Sequence, residues 1–229
     1  MLTILAFTTA AMAAEPRHEV SVEIGSLRSN DPAWNVIGGQ QSPAGGIRAG
    51  YGLSPSLTVI GGWHMSQIQT DHNTSYYGYG YEDEDIAHEP TGSSSNGATA
   101  GSVLSELSVH HLSLGAKFSR EVQPWLVPYA TGQGKLHIGS LRVTDDLDKD
   151  EAMIDLNSSG LGFGGLFSAG VELRSKPANG SFSLAAHLEF GYAISTPMEF
   201  AIESEGSSAS IGSLNYNGAT VSAGVGLRF

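Results

Sequence analysis

Two side chains in the middle of an alternating apolar segment have the chemistry of a hydrolase. His64 and Ser66 are two residues apart, so on a strand their side chains lie on the same face. A histidine beside a serine can take the hydroxyl proton and turn the oxygen into a nucleophile. The pair therefore raises an enzymatic hypothesis that depends on which way this face points.

A second group has the oxygen chemistry of a cation site. Asp146, Asp148 and Asp150 alternate in an acidic stretch, and carboxylate oxygens are the ligands of Ca²⁺ and Mg²⁺. An EF-hand loop would require Gly where Glu151 stands and a bidentate Glu where Asn157 stands. The spacing does not fit an EF-hand. A less regular divalent-cation site and solvated loop charge stay open as interpretations.

Eight ionisable side chains share the less apolar face of segments that alternate with period two. They are Glu23, Arg48, His64, Lys117, Glu172, His187, Glu189 and Arg228. An Arg or Lys that faces lipid at mid-bilayer costs about 2–4 kcal/mol, so a membrane barrel keeps its charges on the other face. The pattern predicts a polar network inside a barrel, which either fills the lumen or lines a narrow, gated pore.

The elements that position these residues are eight alternating segments, each typical of a strand with one apolar face. In the last one, Val221, Ala223, Val225, Leu227 and Phe229 alternate with small or polar residues. The segments cover residues 19–25, 46–53, 57–66, 111–118, a stretch from 125, 161–173, 182–194 and 216–229. After the N-terminus there is no run of about 18 apolar residues, so no membrane-spanning helix is predicted.

Short and long connections alternate between the segments. Polar turns occupy 54–56, 120–123 and 177–180, whereas long polar links occupy 27–45, 67–108, 138–160 and 195–215. Outer-membrane barrels have an even strand number, short periplasmic turns and longer extracellular loops. The sequence predicts an all-β fold, a membrane-spanning, eight-stranded, antiparallel up-and-down barrel. The alternative is a soluble β-sandwich, in which the apolar faces pack on a second sheet.

Three features depart from regular alternation. His110 shares a face with Leu112, so we expect it at the edge of the membrane. Pro128 cannot donate to a strand ladder. If Val127 and Tyr129 belong to the apolar face, the phase drifts before the next apolar residues, and we predict a bulge within 130–134.

The C-terminus resembles that of the small eight-stranded outer-membrane barrels of the OmpA transmembrane-domain and OmpX type. The resemblance is specific in Val225-Gly226-Leu227-Arg228-Phe229 and covers the rest of the chain in architecture. It implies that Val225, Leu227 and Phe229 form the signal read by the barrel-assembly machinery. It also implies a Gram-negative outer membrane, with lipid and lipopolysaccharide as surroundings, and no cofactor.

The N-terminus and the composition narrow the function further. Residues 1–13 join a short apolar stretch to the small-x-small pattern Ala11-Met12-Ala13, which predicts a cleaved signal peptide and a barrel domain over 14–229. No Lys or Arg precedes the apolar stretch, which is atypical of such signals. The formal net charge of −12 argues against nucleic acid as a partner. The absence of Cys excludes disulfides and thiolate metal sites.

Three hypotheses of function follow. The first is a non-enzymatic barrel with a structural or surface-interaction role through its acidic loops, one of which holds the tyrosine-rich stretch 76–81. The second is a lipid-modifying hydrolase. Some lipid A deacylases are eight-stranded barrels with a His-x-Ser pair, but here Gln67 replaces the Asn of their motif, and His64 and Ser66 are predicted to face the lumen. The third is a narrow channel for small solutes, because a general porin requires about 16 strands.

Overall fold

The computed structural model describes residues 18–34, 41–75, 100–145, 155–175, 182–204 and 207–229. The predicted signal peptide, the tyrosine-rich stretch 76–81 and the aspartates Asp146, Asp148 and Asp150 lie outside these residues, so what was inferred for them stays a prediction. Among the described residues, no helix has the length and apolar character needed to cross a bilayer.

Eight of the ten strands within the described residues close into an antiparallel barrel, which confirms the predicted fold. The strands are β1 His18–Ser29, β2 Gln41–Ser54, β3 Leu57–Ser75, β4 Ala100–Ser119, β5 Leu126–Asp145, β6 Asp155–Arg174, β7 Ser183–Ser195, β8 Met198–Ser204, β9 Ser207–Leu214 and β10 Gly218–Arg228. The barrel order is β1-β10-β7-β6-β5-β4-β3-β2, and β8 pairs with β9 in a separate hairpin. Two backbone hydrogen bonds join His18 to Phe229 where the first and last strands meet.

The outer wall carries the predicted apolar face of every alternating segment except the one that begins at residue 125. Phe167, Leu188 and Val225 all point outward, and Phe167 and Val225 are each 65% exposed. No second sheet packs on this wall in the described part of the chain, because the only other sheet there is the β8–β9 hairpin. Such an apolar surface is stable when hydrocarbon surrounds it. The soluble β-sandwich is therefore wrong, and the outward residues have lipid as their solvent.

Strand β5 differs from its predicted phase. Val127 and Tyr129 are buried and point into the lumen, as does Lys135. The pairing of β5 with β4 and with β6 runs through residues 130–134 without a shift, so the predicted bulge is wrong. The sequence predicts the wrong face of β5 to be outward, because apolar and aromatic side chains here fill the lumen instead of facing lipid.

Pro128 is accommodated at the end of the ladder. Its carbonyl accepts a hydrogen bond from the Arg120 N–H at 3.0 Å, and the last β4 residue paired with β5 is Ser119, opposite Tyr129. Both backbone groups of a residue in an antiparallel strand point to the same neighbour. The missing N–H of Pro128 therefore faces a position just beyond the paired part of β4, where no ladder bond is lost.

The two ends of the barrel differ in their connections. We call the end with the links β2–β3, β4–β5 and β6–β7 the turn end, and the opposite end the loop end. At the loop end the strands continue into the predicted links, since β3 reaches Ser75, β5 reaches Asp145 and β6 begins at Asp155. The links are thus shorter than predicted. Strand pairing satisfies the backbone hydrogen bonds whether or not a strand has an apolar face. The alternation of hydrophobicity therefore predicts strands that are too short.

The predicted link 195–215 contains the hairpin β8–β9, which folds across the lumen face of β5 and β6. A Cβ at Gly160 would lie 2.7 Å from Met198 Cγ and 2.8 Å from the Glu199 carbonyl oxygen. A Cβ at Gly139 would meet the Met198 side chain at the same 2.7 Å. The absence of side chains at these two positions lets the hairpin approach the wall closely.

Candidate functional site in the lumen

Near the turn end, the lumen contains five charged side chains that we call the basal network. They are Glu19, Lys117, Glu172, Arg174 and Arg228. Lys117 Nζ lies 2.9 Å from Glu19 Oε2 and 2.6 Å from Glu172 Oε2, and it also lies 4.9 Å from the centre of the Tyr129 ring. Arg174 and Arg228 contact the other oxygen of Glu172. Each buried charge thus has at least one opposite charge beside it.

Above it lies the central network of Glu23, Arg48, His64, His187 and Glu189. Arg48 bridges the two carboxylates, with Nε 2.8 Å from Glu23 Oε1 and Nη1 2.9 Å from Glu189 Oε2. His64 Nε2 and His187 Nε2 lie 3.0 and 2.9 Å from the Glu23 carboxylate. Because these residues come from β1, β2, β3 and β7, the network ties distant parts of the wall together across the lumen.

Glu189 has two further partners that complete its coordination. The hydroxyls of Ser168 and Tyr129 donate to its two oxygens at 2.6 and 3.0 Å. A carboxylate has about four acceptor positions, so Arg48 and two hydroxyls leave little unsatisfied capacity. The result is a packed polar core with paired charges.

A third cluster joins Ser66, His111 and His137. Ser66 Oγ lies 3.1 Å from His111 Nε2, and His111 Nδ1 lies 2.6 Å from His137 Nδ1. His64 instead contacts Glu23. The serine and histidine of the sequence-derived pair thus belong to different clusters, and both face the lumen as their parity predicts. Ser66 is buried, and so are both histidines of its cluster.

A cavity of about 90 Å³ lies between the central network and the third cluster. Its lining includes Lys135, Gln133, His137, Glu189 and Tyr216. The sequence does not predict Lys135 as a lumen residue, because its alternation assigns the inward face of β5 to lipid. A charged residue indicates which face of a strand points away from lipid, and Lys135 itself therefore marks the inward face of β5.

Apolar side chains close the lumen at the loop end, and we call them the apolar cap. They are Trp34, Ile68, Leu107, Val109, Leu141, Met198, Phe200, Leu214 and Tyr216. Some belong to the wall strands β3, β4 and β5, whereas Met198, Phe200 and Leu214 come from the hairpin β8–β9. Trp34 and Met198 have no exposed surface. The cap therefore has the packing of a small hydrophobic core over the mouth of the barrel.

Hydrogen bonds hold the ends of the cap segments in place. Trp34 Nε1 donates to the Asn215 carbonyl at 2.8 Å. The Asp31 carboxylate accepts hydrogen bonds from the backbone N–H groups of Ala33 and Asn215, both at 2.9 Å. The Tyr216 ring stacks on His137 with 5.0 Å between centroids. These contacts connect the segment after β1 with the segment before β10 and join both to the third cluster.

The family of the protein follows from comparison with known sequences. The outer membrane protein beta-barrel domain matches residues 1–229, which is the whole chain. The chain belongs to this family. The protein is therefore located in the outer membrane, as its C-terminal pattern indicated. No match was found among curated proteins.

Solved structures of small outer-membrane barrels are similar to this chain over most of its length. Neisserial surface protein A (NspA) has 15% sequence identity, with 93% of this chain and 95% of that chain covered and a TM-score of 0.42. Ail, the attachment invasion locus protein of Yersinia pestis, in complex with the heparin analogue sucrose octasulfate, has 13% identity, 94% and 100% coverage and a TM-score of 0.45. A major outer membrane protein from Thermus thermophilus has 17% identity, 93% and 99% coverage and a TM-score of 0.45.

The structure places the other sequence-derived residues as follows. Val225, Leu227 and Phe229 lie on the outward face of the closing strand, or directly after it. His110 lies on the outer wall with its ring stacked on Trp63, 5.9 Å between centroids, and the next outward residues toward the loop end are Ser108 and Glu106. This change from apolar to polar marks the membrane edge at β4. Within the described ranges, no group of three or more His, Asp or Glu side chains could hold a metal ion.

The sequence does not predict the apolar cap, because all three of its hairpin residues lie in the predicted link 195–215. A signal was present. Met198 and Phe200 are two residues apart, as are Leu214 and Tyr216, which is the alternation of a short hairpin with one buried face.

Proposed function

We propose that this protein is a non-enzymatic outer-membrane barrel with a sealed lumen. Its role is structural, or one of surface interaction through the long acidic connections at the loop end. The observation that carries the proposal is the combination of two ion-pair networks with an apolar cap along one lumen. A passage for solutes would require the paired charges and the packed cap to move together.

Planar-bilayer recording tests the sealed lumen. We expect no discrete current steps from the purified, refolded protein, because the paired charges of the two networks and the packed side chains of the cap lie across the lumen. Regular single-channel steps from the wild-type protein would instead establish the narrow channel.

Protease treatment of intact cells tests the surface role. The stretch 76–99 links β3 to β4 at the loop end and carries acidic residues and tyrosines. We expect it to be cut from outside while the barrel stays in the membrane. Cleavage only after the cells are broken would place this stretch on the wrong side for a surface role.

A second candidate is hydrolysis at Ser66, favoured by the 3.1 Å contact with His111 Nε2. The arrangement supplies a hydroxyl and a base, but it lies inside the wall beneath Tyr216, whereas a lipid substrate approaches from outside. A lipid A deacylation assay with Ser66→Ala as the matched control separates the candidates. Release of fatty acid by the wild type that is lost in the variant would establish the enzyme.

We also propose that the C-terminal strand is recognised during assembly. Val225 and Leu227 alternate outward, and Phe229 follows the strand directly and bonds to His18 through its backbone. Phe229→Ala should lower the folded fraction recovered from the outer membrane, whereas Ala223→Ser on the same face should not.

A further inference from the structure

The lipid-facing wall is not uniform, because it contains a groove across β10, β1, β2 and β3. The groove is shallow and open to the outside of the barrel, and its lining is largely apolar. Outward residues that form it include Ile24, Ser26, Pro43, Gly45, Val221 and Ala223. Four of these six side chains are small or absent, so the surface is recessed where neighbouring parts of the wall carry large apolar side chains.

The groove lies toward the loop end, which in outer-membrane barrels is the extracellular end, at the edge of the hydrocarbon. Along β1 the outward residues change from Val22 and Ile24 to Ser26 and then Arg28. Along β3 they change from Trp63 and Met65 to Gln67, which also borders the groove. Each strand thus becomes polar at the same place, where acyl chains of the outer leaflet meet their head groups.

Arg28 supplies a positive charge directly beyond the groove. It is exposed on the same face as Ser26 and two residues further on, a distance of about 7 Å along the strand. It forms no ion pair within the described ranges. A guanidinium binds phosphate with two parallel hydrogen bonds, and it does so best when no carboxylate competes.

One acidic side chain lies at the β3 side of the groove. The Glu106 carboxylate accepts a hydrogen bond of 2.6 Å from Gln67 Nε2. Arg28 lies on β1 and Glu106 on β4, with β2 and β3 between them in the wall. The charges favour a negatively charged head group at the β1 side of the groove.

We propose that this groove binds an acyl chain of a phosphorylated outer-leaflet glycolipid, with its phosphate on Arg28. The apolar recess takes the hydrocarbon, and the guanidinium takes the charge at the depth where the strand becomes polar. This site specifies where the expected contact with lipopolysaccharide occurs. It rests on the loop end being extracellular, but it does not depend on a sealed lumen.

Filling the recess tests the acyl-chain part. A Cβ at Gly45 would meet only the Glu23 carbonyl oxygen, at 3.8 Å, so Gly45→Leu fits the wall and occupies the groove. The matched control is Gly134→Leu on β5, whose Cβ would meet only the Leu114 carbonyl oxygen, also at 3.8 Å, outside the groove. Native mass spectrometry of the delipidated protein in detergent, titrated with lipid A, should show binding weakened about tenfold in Gly45→Leu and unchanged in Gly134→Leu.

Removing the charge tests the phosphate part. Arg28→Gln should weaken binding of bis-phosphorylated lipid A by at least about tenfold, since it removes a charge-assisted pair. Binding of the dephosphorylated lipid should not change. Arg120→Gln, an exposed arginine at the turn end, is the matched control.

Equal affinity for lipid A in Gly45→Leu and Gly134→Leu, or in Arg28→Gln and Arg120→Gln, would overturn the proposal. Heat-modifiable gel migration checks that each variant is folded, and Arg28→Gln carries the test if Gly45→Leu does not fold. Conductance of the same samples reports on the sealed lumen separately, so the two proposals fail by different measurements.

Discussion

The two halves of the lumen are closed by opposite kinds of chemistry. Toward the turn end, charged side chains of the wall strands pair across the interior, as Arg48 of β2 does with Glu189 of β7. Toward the loop end, apolar side chains such as Phe200 come from a hairpin that folds over the mouth. The networks therefore belong to the wall itself, whereas the cap is largely an added element.

This difference predicts different consequences when each half is disturbed. A buried charge that loses its partner destabilises the barrel, since the uncompensated charge stays in the lumen of any closed form. A damaged cap can open while the wall keeps its ladder.

Arg48→Met should have the largest effect on stability. It removes the guanidinium between Glu23 and Glu189 and leaves both carboxylates short of a cation. We expect the free energy of unfolding to fall by about 3–5 kcal/mol, measured by urea titration in lipid vesicles. Arg120→Met, at an exposed position, is the control. Equal unfolding midpoints for the two variants would show that the central network does not support the wall.

Phe200→Ala should open the cap without unfolding the barrel. Truncation of a buried Phe costs about 3–5 kcal/mol. Here we expect it to lower the free energy that keeps the hairpin closed over the mouth, and not the stability of the wall. Proteolysis of the segment between β7 and β10 should accelerate on the order of a hundredfold, with unchanged migration of the folded barrel on gels. Glu199→Ala, on the exposed side of the same strand, should behave as wild type. Loss of the folded band in Phe200→Ala would contradict the separation of cap and wall.

Lys117→Met should cost less than Arg48→Met, although Lys117 is as deeply buried. Glu172 keeps Arg174 and Arg228 as partners, so only part of its compensation is lost. We expect a fall of about 2 kcal/mol in the free energy of unfolding in the same vesicle titration. A loss larger than that of Arg48→Met would mean that the two arginines do not take over from the lysine.

The sequence predicted the wall better than the interior. The alternation of apolar and polar residues, seen at Phe167 and Val225, depends only on which face of the strand meets lipid. The same alternation recurs from strand to strand of the wall. Parity also placed Glu23, Arg48 and Glu189 inside. It could not pair them, because Arg48 and Glu189 are 141 positions apart and their contact depends on how the sheet closes.

The errors have one physical origin. The sequence places Val127 and Tyr129 in lipid, and Met198 and Phe200 in a loop, because an apolar side chain suits hydrocarbon and a packed lumen equally well. The composition of a segment therefore identifies an apolar environment without saying on which side of the wall it lies. Charged neighbours on the same strand, such as Lys135 in β5, carry the missing information.

Hydrocarbon is the solvent of the outer wall, and a spin label on that wall can test this directly. The chain has no Cys, so a spin label can be attached at a single introduced site. In lipid vesicles, a label at Phe167→Cys should collide readily with dissolved oxygen and hardly at all with a water-soluble nickel complex, while a label at Ser210→Cys in the hairpin should show the reverse. A label at Phe167→Cys that neither reagent reaches would mean that this face is packed against protein and not against lipid.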